Sequence, residues 1–336
     1  MKIVVDDKIP YIRDAVEAIA DEVVYKKGTN ISAEDVRDAD ALIVRTRTRC
    51  DRQLLEGSKV RMVATATIGY DHIDTAYMEE AGISWVNCPG CNAGSVRQYV
   101  ESALLVLSEH LSLPLDSRIT LGIVGCGHVG QKVREMAQSM GLSIMVSDPP
   151  KGIADGVTMA DMAEKADIIS FHVPLTITGE HATWHLANEK WFKSLKRQPI
   201  IINTSRGEVV DNDALLDAMQ AGLVRQAVID TWEHEPDINR QLLDKVIIGT
   251  PHIAGYSADG KVNADNMVME AICNFFKLEL PPIIVPPSLP EDFAYDGTSL
   301  SLYNPLEDSQ RLKLHPEDFE SLRGDYPLRR EVIGSK

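Results

Sequence analysis

The chain has 336 residues, 44% hydrophobic and 25% charged, which suits a soluble globular protein of two domains. Its formal net charge of −16 argues against nucleic acid as a partner, and no apolar run reaches the ~20 residues of a membrane span. Five cysteines, odd in number and scattered, fit the reduced thiols of a cytoplasmic protein better than a disulfide framework.

Met1 through Asp7 reads as a strand turning acidic, not as the apolar core of a signal peptide. Strands are expected at 2–5, 41–44, 60–64 and 84–87, with helices between them, the pattern of a parallel α/β unit. Arg45-Thr46-Arg47-Thr48-Arg49 follows the second of these strands and sets cations and hydroxyls in alternation, a composition suited to a phosphate. A solvated basic turn is the plain alternative. Cys88-Pro89-Gly90-Cys91 is a lone C-x-x-C with no second pair, so it reads as a loop, and no metal site is expected. A helix is expected over 95–110, with Val96, Val100, Ala103, Leu104 and Leu107 on one stripe, bridging two lobes.

The segment from Ile119 to Gly130 carries the densest information. It reads as a strand running into G-x-G-x-x-G at Gly125, Gly127 and Gly130. Glycine there allows a tight turn, close approach to a pyrophosphate and close helix–strand packing, with the phosphates at the N-terminus of the following helix. That helix is expected over 132–140 and is closed by Gly141; a second strand, 143–147, ends on Asp148. Asp148 stands about 20 residues beyond the glycines, where an acid accepts both ribose hydroxyls and repels the 2′-phosphate of NADP. A turn-forming Asp before Pro149 and Pro150 is the alternative. The unit predicts a dinucleotide, and NAD in preference to NADP.

Strands are expected again at 167–173, 199–203, 227–230 and 246–249, and three of them end in reactive residues. Asn203-Thr204-Ser205-Arg206-Gly207 brings an arginine, Asp230-Thr231-Trp232-Glu233-His234-Glu235-Pro236 brings acids, and Pro251-His252-Ile253-Ala254-Gly255-Tyr256 brings a histidine. Ligands of open α/β sheets bind beyond the carboxyl ends of strands, so Arg206, Glu235 and His252 can converge there. A helix over 258–278 follows. From Leu280 onward prolines (among them Pro281, Pro282, Pro286, Pro287, Pro290, Pro305 and Pro316) break the βα rhythm. This tail holds too little apolar material for a core of its own. It wraps over this chain, packs on a second copy, or is disordered.

In these segments, from about Met1 to Phe276, the chain resembles the NAD-dependent, D-isomer-specific 2-hydroxyacid dehydrogenases. Their motifs N-x-x-R-G, D-x-[FW]-x-x-E-P and P-H-x-[AG]-[GY] fall on Arg206, Glu235 and His252. The resemblance implies an α/β, two-lobed fold: a Rossmann NAD-binding domain over 95–257 and a flavodoxin-like substrate lobe over 1–94. A helix over 258–280 returns to that lobe, and 281–336 forms a short C-terminal tail for dimerisation. It also implies catalytic roles for Arg206, Glu235 and His252, with Gly125, Gly127, His128, Val129, Gly130, Asp148, Val173, Thr204, Ser205, Asp230 and Gly255 at the cofactor. Arg45, Thr46, Thr67 and Tyr256 fall on positions that bind a small phosphorylated hydroxy acid. The stretch from Phe319 to Glu331 matches a tail found in one branch of the family, whose members are homodimers. Two features depart from the pattern: the tail is short, and Val173 stands where a cofactor-contacting Thr is expected. A phosphoglycerate dehydrogenase of the same family and an NAD-sensing binding protein are the rival readings.

Overall fold

The computed structural model describes residues 1–153 and 156–331, which divide into two units. Met1–Asn92 and Ser257–Glu291 make the first; Ala93–Tyr256 and the chain from Asp292 onward make the second.

In the first unit, five parallel strands, β1 (Lys2–Asp6), β2 (Glu22–Lys26), β3 (Ala41–Val44), β4 (Met62–Thr65) and β5 (Ser84–Val86), lie in the order β2-β1-β3-β4-β5. This is the flavodoxin-like order. The middle strands are buried on both faces, so they read as unbroken Val, Ile, Leu and Ala runs. The edge strand β2 was not expected, because its half-exposed Glu-Val-Val-Tyr-Lys lacks such a run. The helix Ala258–Phe276 presents Ala264, Val268, Met269, Ile272 and Cys273 to the core on one face of this sheet. Lys277 closes it in left-handed backbone, φ 58°. The same helix buries Asp265, only 1% exposed, whose Oδ2 has no hydrogen-bond partner among the described residues. Burial pushes this carboxyl up to about 7, against the pull of the Tyr11 backbone and the charges of Lys261 and Arg45.

The second unit contains β6 (Thr120–Val124), β7 (Ser143–Ser147), β8 (Ile168–Phe171), β9 (Ile200–Asn203), β10 (Gln226–Ile229) and β11 (Ile248–Gly249). All pair in parallel, in the order β11-β10-β9-β8-β6-β7. The direction of winding reverses between β6 and β8, which opens a crevice at their carboxyl ends. Gly125 leaves β6 and His172-Val173 leave β8 at that crevice. The helix after the glycines is His128–Ser139, beginning inside the fingerprint and four residues earlier than expected.

The tail lies against its own chain. The helix Pro305–Leu314 covers the edge of β11, where Ser309 Oγ accepts the Gly249 N–H at 3.0 Å and Lys313 Nζ donates to the Val246 carbonyl. Covering an edge strand removes a template for aggregation. Leu312 and Phe319 are wholly buried in the core on one face of the sheet, and Tyr303 is buried in the core on the other. Residues 332–336, the end of the expected tail, lie outside the described residues. Among the described residues no helix is long and apolar enough to cross a membrane. All five cysteines are buried and free, and burial pushes the thiols of Cys88 and Cys91 up, that of Cys91 to about 11.

Asp265 generates a prediction with a definite sign. Its folded carboxyl titrates near 7 and an unfolded one near about 4. Between those values the native state holds a proton that the unfolded chain has lost, so this group makes stability fall as pH rises through the window. Asp265→Asn should therefore unfold at a higher temperature than the parent at pH 8, the gap narrowing as pH falls to about 4. Parallel melting curves with no pH-dependent gap would remove the buried carboxyl as the cause.

Candidate active site

Three loops beyond the carboxyl ends of β9, β10 and β11 build the centre of the second unit. Asn203, wholly buried at the end of β9, closes the first loop. Its Nδ2 donates to the Arg206 carbonyl at 2.9 Å, and its Oδ1 accepts the Ser205 N–H and hydroxyl at 3.2 and 2.9 Å. Arg206 is half-buried and donates to the Ser205 carbonyl at 2.8 Å. Gly207 abuts the second loop: a Cβ there would stand 1.9 Å from the Trp232 carbonyl oxygen, so any side chain would push the arginine loop off the acidic loop.

Glu235 and His252 meet directly. His252 Nδ1 lies 2.9 Å from Glu235 Oε2 and 3.1 Å from Oε1, and the Trp232 N–H donates to Oε1 at 3.0 Å. Burial pushes the Glu235 carboxyl up, but the hydrogen bond and charge of His252, the Trp232 N–H and the charge of Arg323 outweigh it and leave it below its usual range. With a carboxylate on Nδ1, the proton of the neutral ring belongs there, and Nε2 is the accepting nitrogen.

His252 itself sits in left-handed backbone, φ 58°. The loop is tied from within by Asp230, 1% exposed, whose Oδ1 accepts the Ile253 N–H and the Thr250 hydroxyl and whose Oδ2 accepts the Ala254 N–H. Tyr99 in the helix Ala93–Leu111 extends this chain, its hydroxyl 2.7 Å from Thr250 Oγ1. Asp230, expected at the cofactor, thus braces the histidine loop with both oxygens.

At the crevice, Gly125 adopts φ 88°, where a Cβ would meet the His172 carbonyl at 2.6 Å and Val173 Cγ1 at 2.7 Å. A Cβ on Gly130 would lie 1.9 Å from the Gly125 carbonyl, whereas one on Gly127 would meet nothing within 4 Å. His128 and Val129 open the helix beyond. Asp148 Oδ2 accepts the Cys126 N–H at 2.8 Å, and Lys151 Nζ donates to the Cys126 carbonyl at 2.7 Å, so both hold one residue of the turn. Val173 reaches the turn through its packing on Gly125. Thr204 Oγ1 lies 3.4 Å from His172 Nδ1, and Ser170 Oγ lies 2.9 Å from His172 Nε2. Burial holds this histidine down to about 3, so it stays neutral. Gly255 and Tyr256 close the first segment of the unit, Tyr256 edge-on to Tyr326 of the tail at 6.1 Å.

The remaining expected residues lie in the first unit. Arg45 is half-buried, its Nε 3.4 Å from Asp6 Oδ2, and Thr46 is exposed. Arg49 pairs with Asp51, the cap of a short helix, and Thr48 is buried on the Gly28 carbonyl, so the alternating run does not act as one cationic patch. Thr67 Oγ1 bonds the Gly69 carbonyl at 2.9 Å and Thr65 Oγ1 at 2.7 Å.

Sequence reasoning missed two groups here. His185 bridges Glu233 at 2.7 Å and Asp211 at 3.5 Å, and the backbone N–H groups of Asn212 and Glu233 each donate to the other's side-chain oxygen, which clamps the loop bearing Glu235. These three ligand-type side chains lie within 4.8 Å of one another, each already satisfied by the others. The tail supplies the second group. Arg329 donates to the carbonyls of Ile253 and Ala254 at 3.0 and 2.6 Å, and Arg323 NH1 lies 3.3 Å from Glu235 Oε2. The arginine-rich motif at 319–331 was the available signal, read only as a dimerisation segment.

Residues 107–254 match the family model described as D-isomer specific 2-hydroxyacid dehydrogenase, NAD binding domain. An erythronate-4-phosphate dehydrogenase of Bacteroides fragilis is 56% identical over 98% of this chain and 97% of its own length. One of Porphyromonas gingivalis is 42% identical over 99% and 94%. The NAD⁺-bound 3-phosphoglycerate dehydrogenase of Entamoeba histolytica superposes with a TM-score of 0.68 at 28% identity, over 86% of this chain and 99% of that one. The chain belongs to the D-isomer-specific 2-hydroxyacid dehydrogenases, in their erythronate-4-phosphate group.

The turn of this dehydrogenase fits the family's cofactor. Gly125 and Gly130 are packed to the limit, while Gly127 leaves open the space that a Cβ would fill, at the N-terminus of His128–Ser139 where a pyrophosphate is favoured. Asp148 stands beside that opening. Asp148→Ala should weaken NAD⁺ by ~1.5–3 kcal/mol, through loss of a charged acceptor for the ribose, and narrow its advantage over NADP⁺. Titration of the variant with both cofactors checks this, and an unchanged ratio would take the ribose from Asp148.

Proposed function

We propose that the protein oxidises the 2-hydroxyl of 4-phospho-D-erythronate with NAD⁺, giving (R)-3-hydroxy-2-oxo-4-phosphooxybutanoate and NADH, a step toward pyridoxal 5′-phosphate (vitamin B6). The observation that carries the reading is the His252–Glu235 pair, in a chain 56% identical to a named erythronate-4-phosphate dehydrogenase. Bound NAD⁺ supplies the hydride acceptor. His252 Nε2 takes the hydroxyl proton as C2 gives up its hydride, and Glu235 on Nδ1 fixes the tautomer and stabilises the imidazolium. Arg206 offers a planar fork that binds the substrate carboxylate and polarises the reacting oxygen. Asp230 keeps the histidine loop in register. Thr204, Ser205, Val173 and Gly255 would help to hold the cofactor. Arg45, Thr46, Thr67 and Tyr256 are assigned to the phosphorylated substrate.

His252→Ala should lower turnover about 10²–10⁴-fold while changing NAD⁺ affinity little, because the residue acts on the substrate hydroxyl. In the wild type, kcat/KM should fall on the acid side as His252 takes up a proton it must lack to act as base. Glu235→Gln should move that limb to lower pH and slow the reaction, since an amide stabilises the imidazolium less than a carboxylate. An assay of NADH formation across pH, with 3-phosphoglycerate as the competing substrate, decides; no acid limb, or 3-phosphoglycerate as the better substrate, would overturn the corresponding part.

We also read the protein as a cytoplasmic homodimer, supported by its odd number of scattered cysteines and by the exposed Ile283 and Val285 at the start of the tail. Sedimentation of the full chain should give twice the monomer mass, and a monomer would dispose of the dimer.

A further inference from the structure

Arg323 lies in the helix Phe319–Gly324, and nothing in the chemistry above uses it. Its NH1 is 3.3 Å from Glu235 Oε2, the oxygen that also stands 2.9 Å from His252 Nδ1. Only about a quarter of its side chain is exposed, and Glu235 is more buried still, at 16%. A guanidinium and an imidazole nitrogen therefore share one carboxylate oxygen in a largely water-excluded place, where a charge acts more strongly than on the surface. We propose that Arg323 is a positioning residue for hydride transfer, supplied by the C-terminal tail: it holds Glu235 in the orientation that meets His252 and moderates how strongly Glu235 favours the imidazolium. The inference rests on His252 acting as the base.

Three further observations support it. Phe319, the first residue of the same helix, is wholly buried in the core that also contains Trp232, so the helix has one seat. Arg329, 8% exposed, grips the carbonyls of Ile253 and Ala254, Gln98 Oε1 at 3.1 Å and the ring of Tyr303 at 4.0 Å. Glu331 reaches the start of the helix Ala93–Leu111, accepting the Ser95 hydroxyl at 2.8 Å. The tail is thus pinned on both sides of Arg323. The charged and titratable groups facing the trio are Asp230 behind His252, and Tyr256 and Glu320 beside Arg323. Burial opposes the charge of Arg323, but Tyr256, Glu235 and Glu320 outweigh it and keep the guanidinium charged.

The sign of the effect follows. Removing the guanidinium leaves Glu235 with its full negative charge toward His252, which favours the imidazolium. In Arg323→Gln the acid limb of kcat/KM should move to higher pH, by about half a unit or more, with kcat reduced and NAD⁺ affinity unchanged. Arg323→Lys, which restores the charge, should return the limb toward the wild-type position. The full-length variants are compared by NADH formation with 4-phospho-D-erythronate, and by NAD⁺ titration as a check on folding. An unmoved limb in an Arg323→Gln protein that binds NAD⁺ normally overturns the proposal, as does an Arg323→Lys limb displaced as far as that of the glutamine. Loss of NAD⁺ binding in both variants makes Arg323 a residue of the fold, and also overturns it. Absence of an acid limb in the wild type is a different result, and it removes His252 as base.

Discussion

His252 occupies left-handed backbone, a conformation that costs a non-glycine residue about 1–3 kcal/mol and persists only where its surroundings over-determine it. Here they do. Asp230 takes the two amides that follow His252, Arg329 takes the two carbonyls on the same residues, and Trp232 Nε1 donates to the Thr250 carbonyl at 2.9 Å. With both edges of the peptides tied, the ring has one direction in which to leave the backbone, and Nδ1 falls on Glu235. The arginine loop inherits its place from the same arrangement, because Gly207 rests on the Trp232 carbonyl.

That arrangement buries charge, and buried charge demands partners. Asp230 illustrates the balance: burial pushes its carboxyl up, while His252, the Thr250 hydroxyl and the amides of Ala254 and Ile253 pull against it. Arg329 holds the carbonyls of the same two residues, Ile253 and Ala254. Taking away one member of such a set leaves the others desolvated and unpaired, typically at a cost of about 3–5 kcal/mol. The set is therefore specific in a way an apolar core is not, since each partner must be present for the others to be tolerated. The chain's overall charge of −16 has no bearing on this, because the local count is set by the two tail arginines.

What could be read from the sequence follows the range over which each feature is determined. The dinucleotide turn was legible because its demands are local: Gly125 needs its φ, and Gly130 needs the absence of a Cβ. Central strands were legible as unbroken aliphatic runs, whereas β2, half-exposed and bounded by Glu22 and Lys26, carried no such mark. The tail helices hid for a different reason. Ser299–Leu302, Pro305–Leu314 and Phe319–Gly324 are too short to hold by propensity and exist because Tyr303, Leu312 and Phe319 are buried elsewhere. Arg323 and Glu235 are 88 positions apart, and no spacing rule connects them. Asp230 was placed correctly at a strand end, but only the fold reveals that both its oxygens face backbone.

A segment that cannot fold alone but supplies the buried Arg329 and the half-buried Arg323 couples its own docking to the catalytic pair. When Phe319 and Leu312 are seated, Arg323 and Arg329 arrive together, one on Glu235 and the other on the backbone carrying His252. Unseating them would withdraw both charges at once and uncover the edge that Ser309 and Lys313 hold. The order of the tail and the geometry of the pair are then two readings of a single equilibrium. A stretch that looks peripheral in sequence thus reaches both the backbone that carries His252 and the carboxylate of Glu235.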